Sequence, residues 1–185
     1  MFQVRFHGRG GQGAVTAAEL LSVAAFNEGN FAQAFPSFGS ERMGAPVASF
    51  CRISDKEIRL REPIEHPDIL LVLDPTLLHH VPIFEGASEN AQCLINSTHS
   101  VNDLGLGQTP VRLLHVPASA IARDVLGVDR PNTALLGGLA ALCESISLSA
   151  IQDAIRSRFT GEIGEKNCAV AQKAYAYVKA EVGDA

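Results

Sequence analysis

The N-terminal part of the chain runs from a strand pattern through a glycine-rich turn into a helix pattern. Residues 2–7 combine aromatic and β-branched side chains, which is typical of a short strand. Residues 14–26 place small apolar side chains at helical spacing, and Gly29-Asn30 ends that pattern. A strand, a glycine turn and a helix in this order predict the first unit of a doubly wound sheet.

Further strand patterns follow along the chain. The predicted strands are residues 31–35, 47–53, 57–61, 68–73, 92–96 and 111–116. Two of them, 47–53 and 57–61, flank Ser54-Asp55-Lys56 and predict an antiparallel hairpin. The apolar run at 70–73 predicts a central parallel strand that is buried on both faces. Asp74-Pro75 then predicts a helix start, with the aspartate as N-cap.

The last third of the chain has helical periodicity. The predicted helices are residues 118–126, 133–145, 150–159 and 166–182. Gly137-Gly138 lies inside one of them, and since each interior glycine costs about 1 kcal/mol, close packing is the expected reason for the pair. The whole pattern predicts an α/β fold. We expect a single Rossmann-like three-layer domain over residues 1–185, with a mostly parallel sheet, an inserted β-hairpin and a helical C-terminal third.

Composition narrows the class of protein without naming a function. The 185 residues are 46% hydrophobic and carry a net charge of −5, which excludes intrinsic disorder. An acidic chain without a Lys/Arg run argues against nucleic-acid binding. Since a membrane-spanning helix needs about 20 consecutive apolar residues, the chain is not expected to enter a membrane.

The cysteines and histidines indicate no metal site of the chain's own. Cys51, Cys93, Cys143 and Cys168 lack the close spacing of iron–sulfur or structural zinc ligands. We interpret them as reduced, buried thiols of a cytoplasmic protein. The histidines have no acidic partner at metal-binding spacing, and no catalytic triad or carboxylate pair is indicated, so no metal ligand and no catalytic residue is assigned.

The glycine-rich turn is the candidate binding site. Gly8, Gly10 and Gly13 form a G-x-G-x-x-G pattern between a strand and a helix, where backbone N–H groups and the helix dipole favour an anion. Arg9 adds a charge, and Gln12 and Thr16 add donors. The candidate residues here are Gly8, Arg9, Gly10, Gly11, Gln12, Gly13 and Thr16. The alternative is that the glycines serve only a tight turn and close packing.

A dinucleotide cofactor requires a further residue. An acid at the end of the second strand, about 20 residues after the glycines, would bind the ribose hydroxyls. Glu28 has the right spacing but lies at the end of the predicted helix, and the second strand ends in Ala34-Phe35-Pro36. A free-standing NAD(P)-dependent dehydrogenase is therefore disfavoured.

Two blocks of sequence resemble a known family. The glycine turn with residues 16–21, and residues 34–47, are similar to the gamma subunit of 2-oxoacid:ferredoxin oxidoreductases, although the family commonly has arginine where this chain has Met43. Weaker similarity follows at residues 53–61, 74–78, 132–139 and 165–167. The resemblance covers nearly the whole chain.

The resemblance implies one subunit of a larger enzyme. The expected reaction is oxidative decarboxylation of a 2-oxoacid, pyruvate as the first choice, to acyl-coenzyme A and CO₂. Thiamine diphosphate, magnesium and [4Fe–4S] clusters are expected on alpha, beta and delta-type partner subunits, which pass electrons to ferredoxin. This chain would contact coenzyme A, and the resemblance adds Ser40 and Arg42 to the candidate residues. A purely structural interface subunit and the NAD(P)-dependent dehydrogenase are the alternatives.

Overall fold

The computed structural model describes residues 1–37 and 43–183. Six strands form one sheet in the order β2-β3-β1-β4-β5-β6. The strands are β1 (Phe2–Arg9), β2 (Phe31–Pro36), β3 (Pro46–Ser54), β4 (Ile69–Val72), β5 (Gln92–Asn96) and β6 (Arg112–Val116). The α-helices are α1 (Ala14–Asn27), α2 (Ala118–Leu126), α3 (Asn132–Leu142), α4 (Leu148–Arg158) and α5 (Glu162–Gly183). Two 3-10 helices, Pro75–His79 and Val101–Leu104, lie between strands.

The predicted α/β architecture with a mostly parallel sheet is confirmed. β1, β4, β5 and β6 pair in parallel, whereas β3 is antiparallel to both of its neighbours. β2 is antiparallel to β3 and therefore runs in the direction of β1. Only β3 opposes the common direction among these strands.

The position of the predicted hairpin was wrong. Residues 47–53 do form a strand, but residues 57–61 do not, and the hairpin consists of β2 and β3. The reason is that both edges of β3 are occupied, by β1 on one side and β2 on the other. Arg59 and Leu60 are exposed instead, so this segment gains little from pairing.

Each face of the sheet has its own apolar core. The larger core packs the α-helices against side chains such as Phe6 and Leu71. The smaller core, on the opposite face, contains Leu70, Val72 and Cys93 and is covered by the segments around the 3-10 helices. Leu70 and Leu71 are both fully buried on opposite faces, so the prediction of a central strand at this position is confirmed.

The prediction that Asp74 caps a helix start after β4 is confirmed. The Asp74 carboxylate accepts the Thr76 N–H at 3.0 Å, and Pro75 occupies the first position, where no N–H is needed. The helix that begins here is a single 3-10 segment, and Asp74 lies at the carboxyl edge of the parallel strands. The glycine turn after β1 ends at the same edge, which places Asp74 beside it.

Candidate functional site

The glycine turn joins β1 to α1 through two residues in left-handed conformations. Gly11 has φ 95° and Gly13 has φ 85°, a region that disfavours other residues. Gly13 is the N-cap of α1 and contributes no side chain to the cap. A Cβ at Gly13 would lie 2.6 Å from the Asn132 Nδ2 atom, so the glycine also permits close approach of α1 to the start of α3.

Some backbone N–H groups of the turn are used within the chain. The Gly10 N–H donates to the Ala45 carbonyl at 2.9 Å, and the Gln12 N–H donates to the Arg9 carbonyl at 3.0 Å. The first hydrogen bond within α1 runs from the Ala17 N–H to the Gly13 carbonyl. The N–H groups of residues 14–16 precede that bond and are the donors that a helix start offers to an anion.

Arg9 is held by three internal hydrogen bonds. Its Nε donates to the Asp74 carboxylate at 3.0 Å, its Nη1 to the Gly44 carbonyl at 3.1 Å and its Nη2 to the Thr76 hydroxyl at 2.9 Å. These bonds tie the end of β1 to the segment after β4 and to the residues before β3. Arg9 therefore positions the turn, and its charge lies at the rim of the groove.

Gln12 closes the turn from inside. Its Oε1 accepts the Arg9 N–H at 2.8 Å and its Nε2 donates to the Asp74 carboxylate at 3.0 Å. Burial alone would raise the pKa of Asp74, but hydrogen bonds from Thr76 and Gln12 and the charge of Arg9 outweigh it, so that pKa lies below its usual value. The Asp74 carboxylate is thus ionised, and it accepts hydrogen bonds from Arg9, Gln12 and Thr76.

Two neighbouring cavities, which we call the two lobes of a groove, share Gly13 in their lining. The first lobe, about 410 Å³, is lined by Arg9, Gly10, Gly11, Met43 and Val47 among others. The second lobe, about 490 Å³, is lined by residues from the starts of α3 and α5 and the end of α4, including Arg130, Asn132, Arg158, Phe159, Ile163 and Lys166. Gly13, Thr16 and Arg130 line both lobes, so the start of α1 lies between them.

The structure brings together most of the candidate residues. Arg9, Gly10, Gly11, Gly13 and Thr16 line the groove. Gly8 lies behind the turn, where a Cβ would contact the Leu73 Cβ at 3.3 Å, and Gln12 is engaged inside the turn. Ser40 and Arg42 lie outside the described residues.

Sequence reasoning missed the cations of the second lobe. Arg130, Arg158 and Lys166 are more than a hundred positions away from the glycine turn and belong to no local motif. The only signal was the weak similarity noted at residues 132–139 and 165–167. Both of these stretches contribute to the second lobe.

Within the described residues, no group of three or more His, Cys, Asp or Glu side chains is placed to hold a metal ion. All four cysteines are free thiols. Burial raises the pKa of Cys51 and of Cys93, which opposes formation of the thiolate that a metal needs. Among the described helices, none has the length and apolar character required to cross a membrane.

Comparison with known proteins identifies the family. The family model described as pyruvate ferredoxin/flavodoxin oxidoreductase matches residues 3–177. This chain belongs to that family. It is 45% identical over 177 residues to the pyruvate/ketoisovalerate oxidoreductases common subunit gamma of Thermococcus kodakarensis, covering 95% of this chain and 96% of the relative. The chain is thus a gamma-type subunit of a 2-oxoacid oxidoreductase, as the resemblance implied.

One solved structure supports this assignment, and a second shares the fold. The pyruvate oxidoreductase subunit PORC of Thermotoga maritima superposes with a TM-score of 0.84 at 34% identity and covers 95% of each chain. A 2-oxoglutarate:ferredoxin oxidoreductase from Magnetococcus marinus, with 2-oxoglutarate, coenzyme A and succinyl-CoA bound, has a TM-score of 0.78 at 17% identity. Its match covers 97% of this chain but 31% of that longer chain, and shows the fold alone.

Proposed function

We propose that this gamma subunit serves an oxidoreductase that converts pyruvate and coenzyme A to acetyl-coenzyme A and CO₂. Two electrons leave the substrate for two ferredoxins, and the thiol proton is released as the thioester bond forms. The observation that carries the proposal is the open start of α1 at the glycine turn, in a chain of this family. A helix start of this kind suits the phosphates of coenzyme A.

Gly11, Gly13 and Thr16 are the proposed contacts to the coenzyme A diphosphate, together with the N–H groups of the first turn of α1. Arg9 contributes its charge from the rim, since three of its five guanidinium N–H groups are engaged by Asp74, Gly44 and Thr76. Ser40 and Arg42 remain proposed contacts on the strength of the family resemblance alone.

The remaining chemistry is assigned to other chains. We place thiamine diphosphate, magnesium and the [4Fe–4S] clusters on alpha, beta and delta-type subunits, with ferredoxin as the acceptor. Pyruvate is preferred because the T. maritima relative is a pyruvate oxidoreductase subunit. Because the T. kodakarensis relative is common to pyruvate and ketoisovalerate enzymes, the acid-binding pocket is proposed to lie on a partner. The four cysteines are all free thiols, and this supports a reducing, cytoplasmic location.

The geometry also argues against the NAD(P)-dependent alternative. β3 lies between β1 and β2, so the end of β2 is not next to the glycine turn. The parallel neighbour of β1 is β4, and the acid that follows it is Asp74. That carboxylate already accepts hydrogen bonds from Arg9, Gln12 and Thr76, so it is not available to a ribose.

Assembly is the first test. The tagged chain, expressed in its native host, is expected to co-purify with subunits that contain thiamine diphosphate and iron–sulfur clusters. The purified complex should reduce ferredoxin with pyruvate and coenzyme A faster than with 2-oxoglutarate or ketoisovalerate. Recovery of the chain as a monomer from native lysate would contradict the assignment of partners, and a faster rate with another 2-oxoacid would contradict the choice of pyruvate.

Thr16→Asp is expected to weaken coenzyme A binding to the assembled complex about tenfold, because it places a negative charge beside the diphosphate. Thr16 is the third residue of α1, where a carboxylate stabilises the helix, so folding stability should not fall. Thr16→Asn is the matched control, since it has the same size without the charge. Calorimetric titration measures both affinities, and equal affinities for the two variants would contradict the proposed phosphate site.

A further inference from the structure

The sheet ends in two edge strands of different character. β6 forms one edge and carries Arg112 and His115, and the His115 ring contacts Glu181 of α5. β2 forms the other edge, with the uncharged sequence Phe31-Ala32-Gln33-Ala34-Phe35-Pro36. Edge strands are commonly protected against further pairing by a charged side chain or a bulge. Over its six residues β2 has neither, since its register with β3 is unbroken.

The backbone of β2 presents hydrogen-bonding groups along its outer edge. The Ser37 N–H donates to the Ala48 carbonyl at 2.8 Å, which continues the β2–β3 register. Since inward and outward groups alternate along an antiparallel strand, the odd-numbered residues of β2 face β3. Ala32 and Ala34 therefore point their N–H and C=O groups outward. No hydrogen bond to these outward groups comes from any residue that the structure describes.

The sequence of β2 is the same in both directions around Gln33. An alanine and then a phenylalanine follow on each side of it. Two copies of β2 that pair antiparallel about Gln33 would place each Phe31 opposite Phe35 of the other copy. Each Ala32 would face Ala34, and these are the residues whose backbone groups point outward, so each alanine pair exchanges two hydrogen bonds. The hydrogen-bond phase and the symmetry of the sequence thus select the same alignment.

Side chains on the face of β2 opposite α1 suit this pairing. Phe31 is 49% exposed, whereas Phe35 packs against Phe50 with the ring centres 5.1 Å apart. Aromatic pairs across antiparallel strands stabilise a sheet, and Phe31 gains such a partner from the second copy. The amide side chains of the two Gln33 residues would meet at the centre.

The helix layer on the other face is compatible with the same pairing. α1 packs over β2 and β3, and its Val23 and Phe26 are 39% and 73% exposed. Because neighbouring strands lie about 4.8 Å apart, a helix above these two strands would lie about 10 Å from its copy, the ordinary distance between packed helices. α1 ends at Asn27 and β2 begins at Phe31, so the exposed apolar side chains of α1 lie near the level of Gln33.

We propose that the outer edge of β2 binds β2 of a second copy of this chain, so that the two sheets join into one across a two-fold axis at Gln33. Such an interface uses the same residues from each copy and therefore closes at two chains. Because the paired strands run antiparallel, the carboxyl edges of the two sheets lie at opposite ends. Both glycine turns stay open, and the inference does not depend on the proposed function.

Gln33→Cys tests the pairing and its register in the complex purified from the native host. The two substituted residues would lie directly opposite each other, at a Cα distance of about 4.5 Å, which suits a disulfide. Mild oxidation should link most of this chain to a second copy, and a reductant should release it. Phe31→Cys is the control, because this exposed position would lie about 13 Å from its copy, too far for a disulfide.

Gln33→Glu tests the association of the full-length chain. Two carboxylates would meet at the axis, so the dissociation constant of the pair should rise about tenfold. The Gln33 Oε1 accepts the Arg52 Nη1 at 3.4 Å, so a glutamate of the same size keeps a cation beside it and the variant should fold. Gln108→Glu makes the same charge change at an exposed position before β6 and should leave the dissociation constant unchanged. Sedimentation equilibrium measures all three chains.

Three results would overturn the inference. The first is a wild-type chain that stays monomeric at about 100 μM, where even a weak specific pair is largely assembled. The second is an equal dissociation constant for Gln33→Glu and Gln108→Glu, which would place the association on another surface. The third is a Gln33→Cys chain that links to a different subunit, or that links to itself no more than Phe31→Cys does, because the edge of β2 would then belong to another partner.

Discussion

Gly137→Ala is expected to lower the free energy of unfolding by about 3 kcal/mol, although alanine is the better helix former. A Cβ on Gly137 would lie 2.0 Å from the Ala171 carbonyl oxygen and 2.6 Å from its carbonyl carbon. Both atoms belong to the backbone of α5. A side chain can turn away from such a contact, but a helix backbone must move as a unit, so α3 and α5 would separate.

That separation would disturb the centre of the larger core. Leu135, Leu136 and Leu139 of α3 are fully buried, as are Ala171 and Ala174 of α5. Any increase in the distance between the helices opens space around these side chains, and lost packing is costly. The gain of about 1 kcal/mol in helix propensity offsets only part of this cost.

Urea unfolding followed by circular dichroism measures the effect of Gly137→Ala. Gly183→Ala is the matched control, because Gly183 ends α5 and a Cβ there would have no neighbour within 4 Å. We expect the control to lie within about 0.5 kcal/mol of wild type. If Gly137→Ala were as stable as the control, the close contact between α3 and α5 would be refuted.

The glycine pair also illustrates what local sequence can predict. Two glycines inside an apolar helix indicate a close approach, and the contacts of Gly137 and Gly138 confirm it. The fully apolar run of β4 likewise required a strand between two cores. In both cases a few adjacent residues determine the local structure, so periodicity and residue size are enough to predict it.

The features that the sequence did not predict depend on contacts between distant segments. Residues 57–61 alternate like a strand, but a strand can pair with β3 only at a free edge. β1 and β2 occupy both edges of β3. The engagement of Arg9 and Gln12 depends on Asp74, more than sixty positions away. The second lobe draws its cations from three separate segments. Such features arise from tertiary contacts, which no local pattern contains.

The second large effect is a loss of stability in mild acid, caused by His7. This histidine of β1 is 7% exposed, and its Nε2 has no hydrogen-bond partner among the described residues. Burial lowers the pKa of His7 to about 3, and the nearby charge of Arg5 adds to the effect. The folded chain therefore keeps the imidazole neutral, whereas the unfolded chain protonates it near its ordinary value of about 6.5.

The direction of this pH dependence follows from the number of protons that the folded and unfolded states bind. Between about pH 3 and pH 6.5 the unfolded state binds more protons than the folded state, so stability rises with pH across that interval. The contribution is fully present above the unfolded value and is lost as the pH falls toward 3. Between pH 7 and pH 5 the loss amounts to about 2 kcal/mol. Unfolded carboxyl groups titrate near 4, so carboxylates such as Asp74 contribute little in this window.

Urea unfolding at pH 7 and pH 5 therefore separates His7 from the carboxyl groups, and the His7→Gln variant isolates its contribution. Wild type should lose about 2 kcal/mol between the two pH values, and His7→Gln should lose less than about 0.5 kcal/mol because glutamine does not titrate. His80→Gln, at an exposed position, is expected to retain the wild-type loss. Equal losses in wild type and His7→Gln would mean that the imidazole is protonated inside the fold, which would require a partner or solvent at Nε2 that the packing of β1 does not provide.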